Sequence, residues 1–375
     1  MNTFTEVTIA NLERRIKSHQ PNAEMAFQRL VAEGKMSKDF ITPVGTNNDN
    51  RNAAINFTAN GKVKMEIQIA GEVEEYSIHS NAVRQLGEKM SVPAKYLEQL
   101  ARGVEWERDL CARILNEHIG YTKRSKVLVR SVGGEVRGFL SDQYRRLHSE
   151  KLVQDFVKAG YEHGSVMADG LMTDTKFFLE MLMPQPLVFD TPRNGQVVMS
   201  YGARLATSDY GDGALELRTF TMQGVCLNGM VRESVLRTIH LGAKLPDNLR
   251  LSEETYRHDT NLQASLLKDL TGQIFKAEMI QKEMELIQDA SYMEVDMDKE
   301  IKLLAKTGLI KAEVEKVGKV LMDGKTENGV SGEPSLWKLV NGVTAVGRDA
   351  ESARGREIQE IAGKLMNRVA LLKKV

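Results

Sequence analysis

Downstream of Ser252 the chain changes its hydrophobic period, and that change constrains the fold more than any single motif. SEETYRHDTNLQASLLKDLTGQIFKAEMIQKEMELIQDA sets Leu262, Leu266, Leu270, Ile274 and Met279 at helical spacing with no proline and no central glycine cluster. Such a stripe is what a helix buries against a neighbour. KEIKLLAKTGLIKAEVEKVGKVLMDG continues in the same manner, and after the loop KTENGVSGEPS the segment LWKLVNGVTAVGRDAESARGREIQEIAGKLMNRVALLKK reads as a helical hairpin.

The middle of the chain follows another rule. Lys126–Val132 predicts a strand, Gly133 and Gly134 a tight turn, and Val136–Leu140 the returning strand, with a helix beginning near Ser149. FFLEMLMPQP, QVVMSYGARLATSDYGDG and ALELRTFTMQGVCL supply further short strands. Short connections between them predict an α+β fold: a curved antiparallel sheet backed by helices, with a helical C-terminal layer. The expected division is residues 1–63 as N-terminal helices and a loop, 64–250 as a mixed α+β core, and 251–375 as the helical region.

In the first part, Ile9, Leu12, Ile16, Ala26 and Leu30, interrupted by Pro21, predict short surface helices. Residues 41–64 have a loop composition around a strand at Ala54–Phe57, and Lys64–Ile78 contains another strand. SNAVRQLGEKMSVPAKYLEQLARG reads as helix, turn, helix, with Ser80 as N-cap and Pro93 opening the second helix. Only Lys95 and Arg102 are basic in that second helix, so a packed pair is favoured over a groove-reading one.

Composition narrows the partners. Over 375 residues, 51 Lys and Arg balance 51 Asp and Glu, so a polyanion site has to be a local patch rather than a global field. Cys111 and Cys226 are too few for a disulfide framework and lack zinc spacing; they read as reduced, buried thiols of a cytoplasmic protein. The opening MNTFTEVTIANLERRIKSHQ is not expected to be a signal peptide, and no apolar run approaches the roughly 18 residues of a membrane span. No membrane partner is expected.

The clearest local asymmetry lies between Tyr121 and Lys151, where Lys123, Arg124, Lys126, Arg130, Arg137, Arg145, Arg146 and Lys151 face Glu135, Asp142 and Glu150. Strand alternation puts Lys126 and Arg130 on one face with Leu128, and Val127 and Val129 on the other. Arg137 is expected near Arg130 across the hairpin, where like charges need a counterion such as phosphate. Tyr121, Phe139 and Tyr144 interleave with these bases, as in sequence-tolerant single-strand binders, although Phe139 reads equally as core. Arg232, Arg237 and His240 extend the candidate path.

The stretch DYGDGALELRTF offers Asp209, Asp212 and Glu216 as oxygen donors, but their spacing matches no calcium loop; a structural turn at Gly211 and Gly213 followed by a strand is favoured. Cys226 and His240 lack an orienting third group, so a Cys–His catalytic pair is disfavoured. None of the common nucleotide, zinc or nucleophile motifs occurs, so no catalytic residue, cofactor or metal is assigned and a non-enzymatic protein is favoured.

The ordered series SVPAKYLEQL, LNEHI, KVLVR, VRGFLSDQYRRL, SDYGDGALELRTFTMQGVCLNGM, IHLG and SLWKLVNGVTAV resembles a family of phage- and plasmid-encoded proteins known as a domain of unknown function, over roughly Ile78 to Val346. The segment Val225 to Gly229 is similar to the family's LVCTNG-like sequence and departs from it at Leu227, where Thr is usual. The resemblance implies a mobile element and a kinship with single-strand annealing proteins. The resulting expectation is a single-stranded nucleic-acid-binding protein that acts as an oligomer in recombination or annealing, through Lys126, Arg130, Arg137, Tyr144, Arg145, Arg146, Arg232, Arg237 and His240. The competing expectations are a phage structural or host-interaction (anti-defence) protein, and a metal-dependent nuclease.

Overall fold

The computed structural model describes residues 3–44, 55–69, 71–120, 126–224, 227, 229–240, 242, 251–325 and 330–372. The first helix, α1 (Thr3–Met36), runs through Pro21 rather than breaking there. Its inward residues Leu12, Ile16, Ala23, Ala26 and Leu30 are all buried, and this tertiary contact outweighs the hydrogen bond that proline removes.

Next come β1 (Ser37–Pro43), β2 (Ile55–Thr58), β3 (Lys64–Ile69), β4 (Glu72–Ile78), α2 (Ser80–Met90), α3 (Ala94–Arg102), α4 (Glu105–Gly120), β5 (Lys126–Val132) and β6 (Glu135–Ser141). Helix α2 is capped by His79 and not by Ser80, the His79 side chain accepting from the amide of Asn81. The β5–β6 hairpin forms as expected, because Gly133 and Gly134 both adopt positive φ (54° and 86°), which a two-residue turn between twisted strands requires.

These strands form a six-stranded sheet ordered β1-β5-β6-β4-β3-β2. Its β4–β6 pairing is parallel, with Ser77 opposite Glu135 and Ile78 opposite Val136. The second half of the chain contributes α5 (Ser149–Glu162), β7 (Val166–Met172), β8 (Phe177–Leu182), β9 (Leu187–Thr191), β10 (Gly195–Thr207), β11 (Leu215–Gln223) and β12 (Gly229–Thr238). They build a second sheet, β12-β11-β10-β8-β7, with β9 also pairing β10.

The expected single curved antiparallel sheet is therefore corrected. There are two open sheets, neither curled round on itself, and the first is of mixed direction. Short strands read as a meander, but the helices α2 to α4 form a crossover between β4 and β5 that delivers β6 parallel to β4, and parallel pairing needs such a connection.

Helices α6 (Glu253–Ile274), α7 (Ala277–Tyr292), α8 (Met297–Leu304), α9 (Lys311–Asp323), α10 (Leu336–Arg348) and α11 (Ser352–Leu372) complete the chain, as the helical period predicts. They share cores with the second sheet: Val197, Met199 and Met230 pack with Trp337, Val340 and Met366, and Ala264 and Leu267 pack with Leu205 and Leu217. In the first sheet Ile55, Phe57 and Val63 share one core with Met65, Leu86 and Leu115. Buried contacts thus cross both residue 63 and residue 251. Among the described residues, no helix is long and apolar enough to cross a membrane.

Candidate anion-binding groove

The alternation expected in β5 holds, yet both of its faces are covered. Val127 and Val129 enter the core under α2 to α4, whereas Leu128 packs with Leu140 and Tyr144 on the side turned to the second half of the molecule. Arg130 shares that side and is 7% exposed; its Nε donates to Asp39 at 2.8 Å and its Nη1 to the carbonyl of Asp209 at 2.6 Å. Burial opposes its charge, but Asp39 and Asp209 more than compensate and hold its pKa above the ordinary arginine value.

Arg137 does not stand opposite Arg130. The register pairs Arg130 with Gly138 and Ser131 with Val136, leaving Arg137 in a bulge. From there it reaches Glu33 of α1 at 2.6 Å and Glu135 at 3.0 Å. The like charges thus find carboxylates in place of an external counterion.

The other nominated residues are engaged in the same way. Arg145 makes a two-pronged pair with Asp259 of α6. Arg146 meets Glu253 at 2.8 Å and Asp39 at 3.5 Å, and lies 3.9 Å from the ring centre of Tyr256. Arg232 pairs with Glu283 of α7 at 3.3 Å, and Arg237 with Glu216 at 2.9 Å. Tyr144 is buried, donates to the carbonyl of Ser208 at 3.1 Å and stacks on His240 at 5.0 Å. His240 itself is buried, which lowers its pKa, and its Nδ1 lies 3.1 Å from the carbonyl of Arg145. Phe139 is core at 1% exposed. Lys126, at the start of β5, is half-buried. Tyr121, Lys123, Arg124 and Cys226 lie outside the described residues.

The DYGDG segment is the turn on which the two halves dock. Gly211 takes φ 71°, and the carbonyl of Tyr210 accepts from Asn81 at 3.0 Å and from Gln85 at 2.8 Å, both on α2. Its acids separate: Asp209 accepts from Ser149 at 2.6 Å, Asp212 from Thr175 at 2.7 Å, and Glu216 pairs with Arg218 at 2.5 Å. Among the described residues no three His, Cys, Asp or Glu side chains are grouped to hold a metal ion.

A different set of cations lies along α1. Arg15, His19, Asn22 and Arg29 follow one stripe of α1 and, with Asp169, Gly170 and Arg356, line a groove of about 410 Å³ beside β7, the edge strand of the second sheet. Arg29 is held by Glu33 at 2.7 Å and Asp174 at 2.6 Å. Arg356 leans on Asp169 at 3.3 Å and, more distantly, on Glu180 at 3.9 Å, which also holds the buried Arg204 at 2.5 Å.

Arg15 has no carboxylate within ion-pairing distance among the described residues; its Nη1 lies 2.7 Å from His19 Nδ1. The same ring nitrogen lies 2.9 Å from the hydroxyl of Ser18 and 3.2 Å from the carbonyl of Arg15. Burial lowers the pKa of Arg15, opposed by Asp169 and Glu180, and burial followed by the charge of Arg15 lowers that of His19. Three guanidiniums, Arg15, Arg204 and Arg356, thus share the carboxylates of Asp169 and Glu180. An anion in the groove would relieve the imbalance.

The basic i, i+4 spacing of Arg15 and His19 was available in the sequence, but Asp169, Glu180 and Arg356 arrive from distant segments. The chain matches no protein-family model, no curated protein and no solved structure.

Proposed function

We propose that the protein binds single-stranded nucleic acid along the groove between α1, β7 and α11. The observation that carries the reading is Arg15, a half-buried guanidinium without a carboxylate partner among the described residues, beside Arg356. The reading shifts the contact from the nominated central arginines to α1, because guanidiniums already held by carboxylates gain little from phosphate. It retains a host cytoplasm as the setting and an oligomer as the form in which neighbouring grooves present strands for annealing.

Fluorescence anisotropy with labelled single- and double-stranded oligonucleotides, at two salt concentrations, tests it. Tighter binding of the single strand is expected, with a logarithmic salt slope of about −0.7 for the one phosphate met by Arg15. Loss of about tenfold in affinity on Arg15→Gln is expected; binding that ignores this change, or no binding at low salt, overturns the reading.

A second reading, a protein partner, is favoured by Tyr292, Ile310 and Met322, which are 68%, 61% and 80% exposed on or beside α7 and α9. Co-sedimentation that responds to Met322→Lys and not to Arg15→Gln would support it.

A further inference from the structure

A second cavity, remote from the groove, lies where the start of β3 and the ends of α2 and α3 meet α4. It measures about 530 Å³, within the roughly 300–1,000 Å³ typical of small-molecule sites. Its inner wall is apolar: Val63, Val83, Cys111 and Leu115 are buried, and Ala101 completes it. Burial pushes the Cys111 thiol up to about 11, so this wall carries no charge at neutral pH.

Arg108 also lines the cavity. Its Nη1 donates to the carbonyl of Gly103, the C-cap of α3, at 2.6 Å, which fixes the guanidinium in place. Its Nε–H is buried and has no acceptor among the described residues. Lys62 and Arg102 at the rim bring the cations to three, against the carboxylates of Glu98 and Glu135, and Glu135 is already shared with Arg137 at 3.0 Å. The local surplus is therefore a single positive charge next to an apolar chamber.

We propose that this cavity binds a small organic monoanion, a carboxylate carried on an apolar body, with Arg108 as its anchor. The guanidinium offers a planar pair of donors that fits a carboxylate, and the chamber beneath takes the hydrocarbon. The site is independent of the α1 groove.

The test uses the full chain, titrated by isothermal calorimetry with octanoate, 1-octanol and octyl phosphate. Octanoate is expected to bind at least tenfold more tightly than either of the others. Arg108→Met is expected to weaken octanoate at least tenfold while leaving 1-octanol unchanged. Ala101→Leu, which narrows the chamber without touching Arg108, is expected to weaken both and serves if Arg108→Met does not fold. Equal affinities for octanoate and 1-octanol, or no octanoate binding at millimolar concentration, overturns the proposal.

Discussion

The arginines at the junction of the two halves and the arginine on α1 carry the same side chain in opposite circumstances. Arg130, Arg137, Arg145 and Arg146 each meet a carboxylate from another element, Asp39, Glu33, Asp259 and Glu253 respectively. Arg15 meets a histidine. The first group fastens α1, β1, α6 and the central hairpin into one body; Arg15 makes no ion pair among the described residues and feels Asp169 and Glu180 only at longer range. An arginine-rich segment is thus no guide to an anion site until its carboxylates are located.

The sharpest way to break this contrast is Arg130→Met. It leaves the half-buried Asp39 facing only the more distant Arg146, and the expected loss is about 3 kcal/mol in urea unfolding. An unchanged midpoint would end the view of Arg130 as a fastening. Arg145→Gln breaks a half-buried two-pronged pair with Asp259 and is expected to cost about 1–2 kcal/mol. Oligonucleotide affinity in that variant should stay at the wild-type value. Arg15→Gln should do the converse, with stability within about 0.5 kcal/mol of wild type and affinity lowered.

Acid should loosen the junction through His240. Burial lowers its folded pKa, so the stability it contributes is present above the unfolded value of about 6.5 and is lost as pH falls below it, at up to about 1.4 kcal/mol per pH unit. Chemical denaturation between pH 7.5 and 5.5 should show a shallower pH slope in His240→Gln than in wild type. The smallest effect is expected of Arg237→Gln: the side chain is 60% exposed although paired with Glu216, and a change under about 0.5 kcal/mol in the same assay would fit a solvated pair.

Much of the local structure could be read from the residues alone. The Gly133–Gly134 hairpin, the start of α5 at Ser149, and the C-terminal helices follow from turn chemistry and hydrophobic period. Pro21 misled, because the buried face of α1 carries the helix through it. The parallel place of β6 beside β4 was hidden as well, since strand order depends on where a long crossover lands. Of the site, the charge and spacing of Arg15 and His19 were visible. Their significance was not, because nothing near them in the chain shows that Asp169 and Glu180 are shared with Arg204 and Arg356.

By itself, then, the amino-acid order determined which segments coil, which extend, and how many charges of each sign the molecule carries, since these depend on neighbours a few residues away. Which cations are neutralised, and so which face can attract an anion, was decided only on folding. Ion pairs join residues far apart in the chain, and their partners exist only once the two sheets and the helices around them have packed.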